Sequence, residues 1–245
     1  MPDSSRTEIA RAYPDRVEVR GHDLTGDLMG RLTFTEHFHL LLTGREPTDD
    51  ERFFLDLLLV AIAEHGLMPS NVAARITLAA EPDSLQGAVA AGILGAGSTV
   101  LGASEACAQL LQRGRTLRDP VAVAQAIHAA RQRMPGFGHP LHTPIDPRAE
   151  RILELADERG ISGANVAFAR SLRTAVNEVW ERPLVMNVAM PIAAVWLDLG
   201  YTAATVKAVP ILARTASLLA HLAEELERPI GFSLARAAEE AVEEE

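Results

Sequence analysis

The segment TDDERFFLDLLLVAIAEHG, Thr48 to Gly66, limits the fold most sharply. Pro47 precedes it, and Thr48 with Glu51 has the spacing of a capping box, in which the two side chains satisfy each other's backbone N–H groups. The run that follows is apolar almost all round and reaches Gly66, a residue suited to a left-handed stop, so it reads as a helix enclosed by other helices. The same punctuation recurs down the chain. TEHFHLLLTG stops at Gly44, DPVAVAQAIHAARQR opens on Asp119 as N-cap with Pro120 in the first helical position, and DPRAERILELADERG repeats this with Asp146 and Pro147. Helices are also predicted over SGANVAFARSLRTAVNEVW, MPIAAVWLDLG and ATVKAVPILARTASLLAHLAEELE, where Pro210 kinks the helix or marks its start. SLQGAVAAGILGAGSTVLGASEACAQLLQRG is rich in Gly, Ala and Ser, which lets helix backbones approach closely or lets a ligand reach the backbone. Strand signal is confined to RVEVRGHDL, where Arg16–Val19 alternate and predict a short edge pair at most. The expected class is all-α.

With 245 residues the chain can hold one large core or a core with an appended subdomain. Aromatics are only 4% while hydrophobic residues reach 48%, so that core is expected to be aliphatic. A formal charge of −10 and the absence of a basic run argue against a nucleic-acid surface. Part of this charge is the tail AAEEAVEEE, which reads as a solvated helix end or a frayed terminus. Cys107 is the single cysteine, so no intrachain disulfide forms, and SEACAQLL places it as a core thiol. MPDSSRTEIARAYPDR lacks the layout of a signal peptide, and no uninterrupted apolar stretch reaches the roughly 18 residues of a membrane span. A cytoplasmic protein without a membrane partner is the expectation.

GxxxxGK[ST], GxSxG, HExxH and paired CxxC motifs are absent, and GAGSTVLG follows no strand, which excludes a dinucleotide loop. His37, His39 and His128 fit surface or core-edge helix positions. His65 stands at a helix end, where it can cap that helix or face a cleft. His139 follows two glycines in PGFGH, and nine residues later Arg148 occupies the first turn of a helix, where the dipole disfavours a cation. That arrangement suits an anion pocket, with the imidazole polarising and the guanidinium gripping a carboxylate. A rigid Pro/Gly turn with incidental polar residues accounts for it equally well. The histidines lack metal-ligand spacing and no cysteine pair exists, so no metal is expected.

PGFGHPLHTPIDPRA resembles the PG(F/Y)GH…DPR segment of the citrate synthase family, which includes citryl-CoA lyases and the lyase module of ATP-citrate lyase. FTEHFHLLLTGREPTDDE, EHGLMPSNVAAR, ARTASLLAHLAEELERP and RGHDL resemble further segments of that family in the same order, so the similarity spans almost the whole chain. The resemblance implies an all-α, citrate synthase-like homodimer. Its large domain would comprise residues 1–104 and 189–245 and its small domain 105–188, with a cleft between them. A CoA thioester and a di- or tricarboxylate would be the small-molecule partners, bound as substrates. By the same resemblance His65 and His139 take catalytic positions. Arg148, Arg214 and Arg228 match carboxylate-binding arginines, and Gly136, Phe137 and Gly138 lie near the thioester and pantetheine end of CoA.

Two departures bear on the chemistry. Where citrate synthases read GPLHGGANE this chain reads GSTVLGASE, placing Val100 at the enolate-stabilising histidine, a difference shared with the compact citryl-CoA lyases. Where the family reads NVD this chain reads NVA, placing Ala189 at the aspartate that moves the methyl proton. Asp198, the next acid, is about two and a half helical turns further along. Three readings follow: a citryl-CoA lyase-like C–C lyase; a catalytically impaired relative that binds a CoA ester or carboxylate as a regulatory or partner subunit; or a different CoA-ester reaction on the same scaffold.

Overall fold

A computed structural model describes residues 7–242. The chain divides into two compact units, residues 1–57 and 58–245.

The first unit holds a small antiparallel sheet of β1 (Ala10–Ala12), β2 (Val17–Val19) and β3 (His22–Asp23), in that order, with Ala10 opposite Val19 and Glu18 opposite Asp23. The expectation of an edge pair at most is therefore too small by a strand. Turn chemistry explains the extra strand: Arg20 and Gly21 both have positive φ, 49° and 83°, which is the two-residue geometry that matches strand twist. A π-helical turn at Leu24–Leu28 and helix α1 (Phe34–Thr43) close a cluster of Val19, Leu28 and Leu40, flanked by Val17, Leu24, Leu32 and Leu41. α1 ends on Gly44 at φ 82°, as its sequence predicts, and Thr33 with Glu36 adds a capping box at its start.

α2 (Asp49–Ala63) begins with the predicted box: Thr48 N–H donates to Glu51 Oε2 at 2.8 Å and Glu51 N–H to Thr48 Oγ1 at 3.2 Å. It stops three residues short of Gly66, whose positive φ of 75° instead serves the turn into the next helix. Glu51 is buried and ion-paired with Arg45, whose Nη1 lies 2.8 Å from Oε2. His39, also buried, is a structural residue: its Nδ1 meets the Arg45 carbonyl at 3.0 Å.

The second unit is built from α3 (Pro69–Ala80), α4 (Leu85–Leu101), α5 (Ala103–Leu117), α6 (Pro120–Ala129), α7 (Pro147–Glu158), α8 (Ala164–Val179), α9 (Ala189–Asp198), α10 (Ala203–Val206), α11 (Ala208–Glu227) and α12 (Gly231–Glu240). Asp119 and Asp146 cap α6 and α7 with proline in the next position, and Pro210 lies in the first turn of α11, marking its start. α3, α4 and α11 share an aliphatic cluster of Ala74, Leu78, Ala88, Leu218 and Leu222. Gly92 permits that approach, since a Cβ there would lie 2.6 Å from the Leu218 side chain and 3.0 Å from the Ser70 carbonyl. Two helical stretches, Leu85–Leu117 and Ala203–Glu227, are long and apolar enough by length and composition to cross a membrane, contrary to the reading that no stretch reaches that size. The first is broken at Gly97 (φ 54°, ψ −169°), and both supply residues to the shared cluster, so their apolarity is accounted for by core packing.

α9 is buried from Ala189 through Trp196 and packs against α5, α7 and α8. At its end Asp198 accepts N–H groups from Gly163, Asn165 and Val166, each at 2.9 Å, and so caps α8. The acidic tail enters α12, and its last residues, 243–245, lie outside the described residues.

The Arg45 guanidinium, together with the Thr48 N–H, overcomes burial and holds the Glu51 carboxyl down at about 2. A depressed carboxyl contributes stability above its unfolded value, and the contribution fades as pH falls through the folded one. Glu51→Gln is therefore expected to lower unfolding free energy by about 2 kcal/mol at pH 7. The difference from the wild type should shrink toward pH 2 in urea titrations.

Candidate anion-binding site

A cavity of about 560 Å³ opens in the second unit, and every residue lining it belongs to 58–245. Its wall includes His65, Arg133, His139, Arg148, Asn187 and Arg214. Apolar surface comes from Val100, Ala189, Ile192 and Pro210 among others, and no lining residue is a carboxylate.

The loop Met134–His139 is clamped to residues 185–187. Gly138 N–H donates to the Val185 carbonyl at 2.7 Å, Asn187 N–H to the Gly136 carbonyl at 2.9 Å, and Asn187 Nδ2 to the Gly138 carbonyl at 3.0 Å. Gly136 is needed twice over: its φ is 78°, and a Cβ would sit 2.8 Å from Cys107 Sγ and from Met190. Cys107 is fully buried, and burial pushes its thiol up, which agrees with a core thiol.

This clamp aims His139 into the cavity. Its Nδ1 accepts N–H groups from Leu141 at 3.1 Å and His142 at 2.9 Å. A nitrogen that accepts twice carries no hydrogen, so the ring's proton resides on Nε2. Burial first, then the neighbouring His142, Arg148 and His65 rings and guanidinium, hold His139 below its ordinary pKa against the pull of Asp146. It is a neutral hydrogen-bond donor.

Arg148 stands beside it. Asp146, fully buried, accepts from Arg148 Nε at 3.0 Å and Nη2 at 2.8 Å, from Arg148 N–H at 3.1 Å, and from Val188 N–H at 3.1 Å. Burial pushes the Asp146 carboxyl up, but Arg148 and the two backbone groups more than reverse this, leaving it below the usual range. The cation that looked misplaced at a helix N-terminus is thus matched by the helix's own cap. Its Nη2 lies 3.3 Å from His139 Nε2. Both atoms are donors, so what fits between them is an acceptor oxygen.

Arg214, on α11, is 6% exposed and makes one long hydrogen bond among the described residues, from Nη1 to Asn71 Oδ1 at 3.5 Å. Burial lowers its pKa, with Glu64 opposing. A desolvated guanidinium so thinly compensated calls for an anionic ligand. His65 does not cap α2. Its backbone N–H is held by Glu64 Oε1 at 2.8 Å while its Nε2 is buried without a partner. Glu64 is anchored in turn by Ser217 and His221, and His221 accepts from the buried Arg75 at 3.1 Å. Arg228 lies elsewhere: it is the exposed C-terminal cap of α11 and does not line the cavity. Gly136, Phe137 and Gly138 all line it.

Three features escaped the sequence reading. Arg133 adds a third guanidinium to the wall, signalled only by its place just before the glycine loop. Asn187 locks that loop, and its Oδ1 accepts the Ala189 N–H at 3.1 Å. His142 joins His65 and His139 in a cluster whose ligand-capable nitrogens lie within 4.8 Å of one another. Linear spacing hid this group, because its first member comes from a different helix end. For His139 to ligate a metal through Nε2, its proton would have to move to Nδ1 and displace both backbone N–H groups, which sets this ring against metal binding.

An all-helical protein with a cationic, carboxylate-free cavity is thereby defined, one suited to small carboxylate ligands. The family described as citrate synthase, C-terminal domain, matches residues 6–236, and the chain belongs to the citrate synthase family. Citryl-CoA lyase from Hydrogenobacter thermophilus is similar in structure, with a TM-score of 0.84 and 31% identity over 91% of this chain and 87% of that one. ATP citrate lyase from Methanothrix soehngenii, in complex with citrate and coenzyme A, shares the fold at a TM-score of 0.80 and 18% identity, over 93% of this chain and 39% of that one. The citrate synthase of Heyndrickxia coagulans is 27% identical over 201 residues, 80% of this chain. The chain spans about half the length of the citrate synthases it matches.

Gly136→Ala is expected to cost about 3 kcal/mol through the left-handed φ and the clash with Cys107 and Met190. The same change should weaken citrate binding, measured by calorimetry, because it unseats the loop that aims His139.

Proposed function

We propose that this chain is a citryl-CoA lyase-like enzyme, which cleaves citryl-CoA or a related hydroxy-carboxyacyl-CoA to acetyl-CoA and oxaloacetate. The observation that carries the proposal is the pair of donors, His139 Nε2 and Arg148 Nη2, set 3.3 Å apart with no protein acceptor between them. The carbinol oxygen of the substrate occupies that position, while Arg148 and Arg214 hold its carboxylates. The alcohol proton passes to His65, whose Nε2 has no other partner. The carbon–carbon bond breaks, the oxygen becomes the keto oxygen of oxaloacetate, and the electron pair goes to the thioester's α-carbon. Water then protonates that enolate, since no carboxylic acid lines the cavity. The Gly136–Gly138 backbone flanks the thioester, as the family resemblance implies. In this reading residues 105–188 form a small domain that closes on the rest, and a homodimer in the cytoplasm is the working form. Support comes from the cavity's charge and from the similarity to the Hydrogenobacter lyase.

A second reading rests on Ala189 and Val100, which line the cavity where the family's proton-transfer groups would stand. It takes the chain as a binder of CoA esters or carboxylates with the chemistry removed. The two separate in one experiment, with citryl-CoA cleavage followed by thioester absorbance and oxaloacetate formation. The lyase reading expects slow turnover by the wild type and an increase of about a hundredfold or more in Ala189→Asp. Turnover only in Ala189→Asp would establish the binder; none in either protein would defeat the substrate assignment. Arg214→Gln is expected to weaken citrate binding about ten- to hundredfold by calorimetry.

A further inference from the structure

His142 is the one imidazole of the cluster that neither the family match nor the proposed reaction uses. It touches His139 in two ways. Its backbone N–H donates to Nδ1 at 2.9 Å, and its ring lies against the His139 ring with centroids 4.3 Å apart and planes 30° apart. It also meets His65 edge-on at 5.5 Å. Its own ring nitrogens make no hydrogen bond among the described residues, so the ring is not there to tie the loop down. From these contacts we propose that His142 is a positioning residue, which keeps His139 in the neutral form bearing its proton on Nε2.

The argument is one of stacked charges. An imidazolium at position 139 would face an imidazole able to share the same proton, and it would also face Arg148, with Arg133 and Arg214 on the same wall. His65 approaches from the end of α2 at 5.4 Å. Asp146 alone pulls the other way, and it is engaged by Arg148. Protonating His139 on Nδ1 would break both backbone hydrogen bonds and release the ring from its aim. A partly charged neighbour in stacking contact opposes that step, and His142 is the nearest such group.

The positioning role follows from geometry, but its catalytic consequence rests on the lyase reading above, so the experiment reads the two separately. Nitrogen-15 NMR of the imidazoles reports the His139 tautomer and titration in the wild type, His142→Phe and His142→Lys. Cleavage of citryl-CoA across pH is measured on the same proteins. His142→Phe keeps a ring but removes its charge, so the His139 titration should move to higher pH, and the acid limb of kcat should follow, with KM little changed above neutrality. His142→Lys should move both in the opposite direction, a sign that a packing role alone would not produce. His142→Gln carries the test should the phenyl ring disturb the loop. An unmoved His139 titration in all variants overturns the proposal, whatever the turnover. Stoichiometric Zn²⁺ uptake by all three rings would overturn it too, because that demands a bare Nε2 on His139. If the titration moves as stated while the wild type cleaves no citryl-CoA, the positioning role stands and the lyase reading fails.

Discussion

The buried carboxylate of Asp146 is the constraint on which the site depends. It accepts the first free N–H of α7, reaches across to the Val188 N–H ahead of α9, and holds the Arg148 guanidinium by two nitrogens. One group therefore terminates a helix, joins two segments distant in sequence and fixes the direction of a cation. Taking a carboxylate out of water is costly unless its lone pairs are filled, and here four donors fill them. Loss of this side chain would leave Arg148 buried without a counter-charge, so the geometry beside His139 is inseparable from the fold of α7.

Seen electrostatically, the cavity has an unusual balance. Three guanidinium groups and two imidazoles line it, and the acids that offset them sit behind the wall, out of contact with a ligand. Such an arrangement favours anions without giving any carbon atom a proton donor of carboxylic type. Ala189 and Val100 contribute methyl groups where a proton carrier would have to stand, so binding and chemistry are uncoupled here to a degree that the overall similarity to lyases and synthases does not show.

Most of the helical frame was legible because its signals are local. Thr48 with Glu51, Asp119 with Pro120, Asp146 with Pro147 and the stop at Gly44 are each settled within a few residues, and each was found where the pattern put it. The convergence of His65, His139, Arg148 and Arg214 was legible only through the family resemblance, since no spacing along the chain encodes it. Arg228 matched the same pattern yet stands on the surface of this chain, which shows how weakly a single matched residue constrains position. What stayed hidden was relational: the third strand depended on an Arg–Gly turn, His142 on a helix end seventy-odd positions away, and the tautomer of His139 on two backbone groups that any residue would supply.

The sole thiol of the chain is roofed by the Gly136 loop, in contact distance of where a methyl group there would be. A molecule with one cysteine in that location carries its own gauge of breathing. Reagents that modify sulfur can reach it only when the loop lifts, so the rate of modification measures how often the imidazole-bearing segment leaves its seat. Occupancy by a ligand that rests on the loop would slow that clock, with no label introduced and no residue changed.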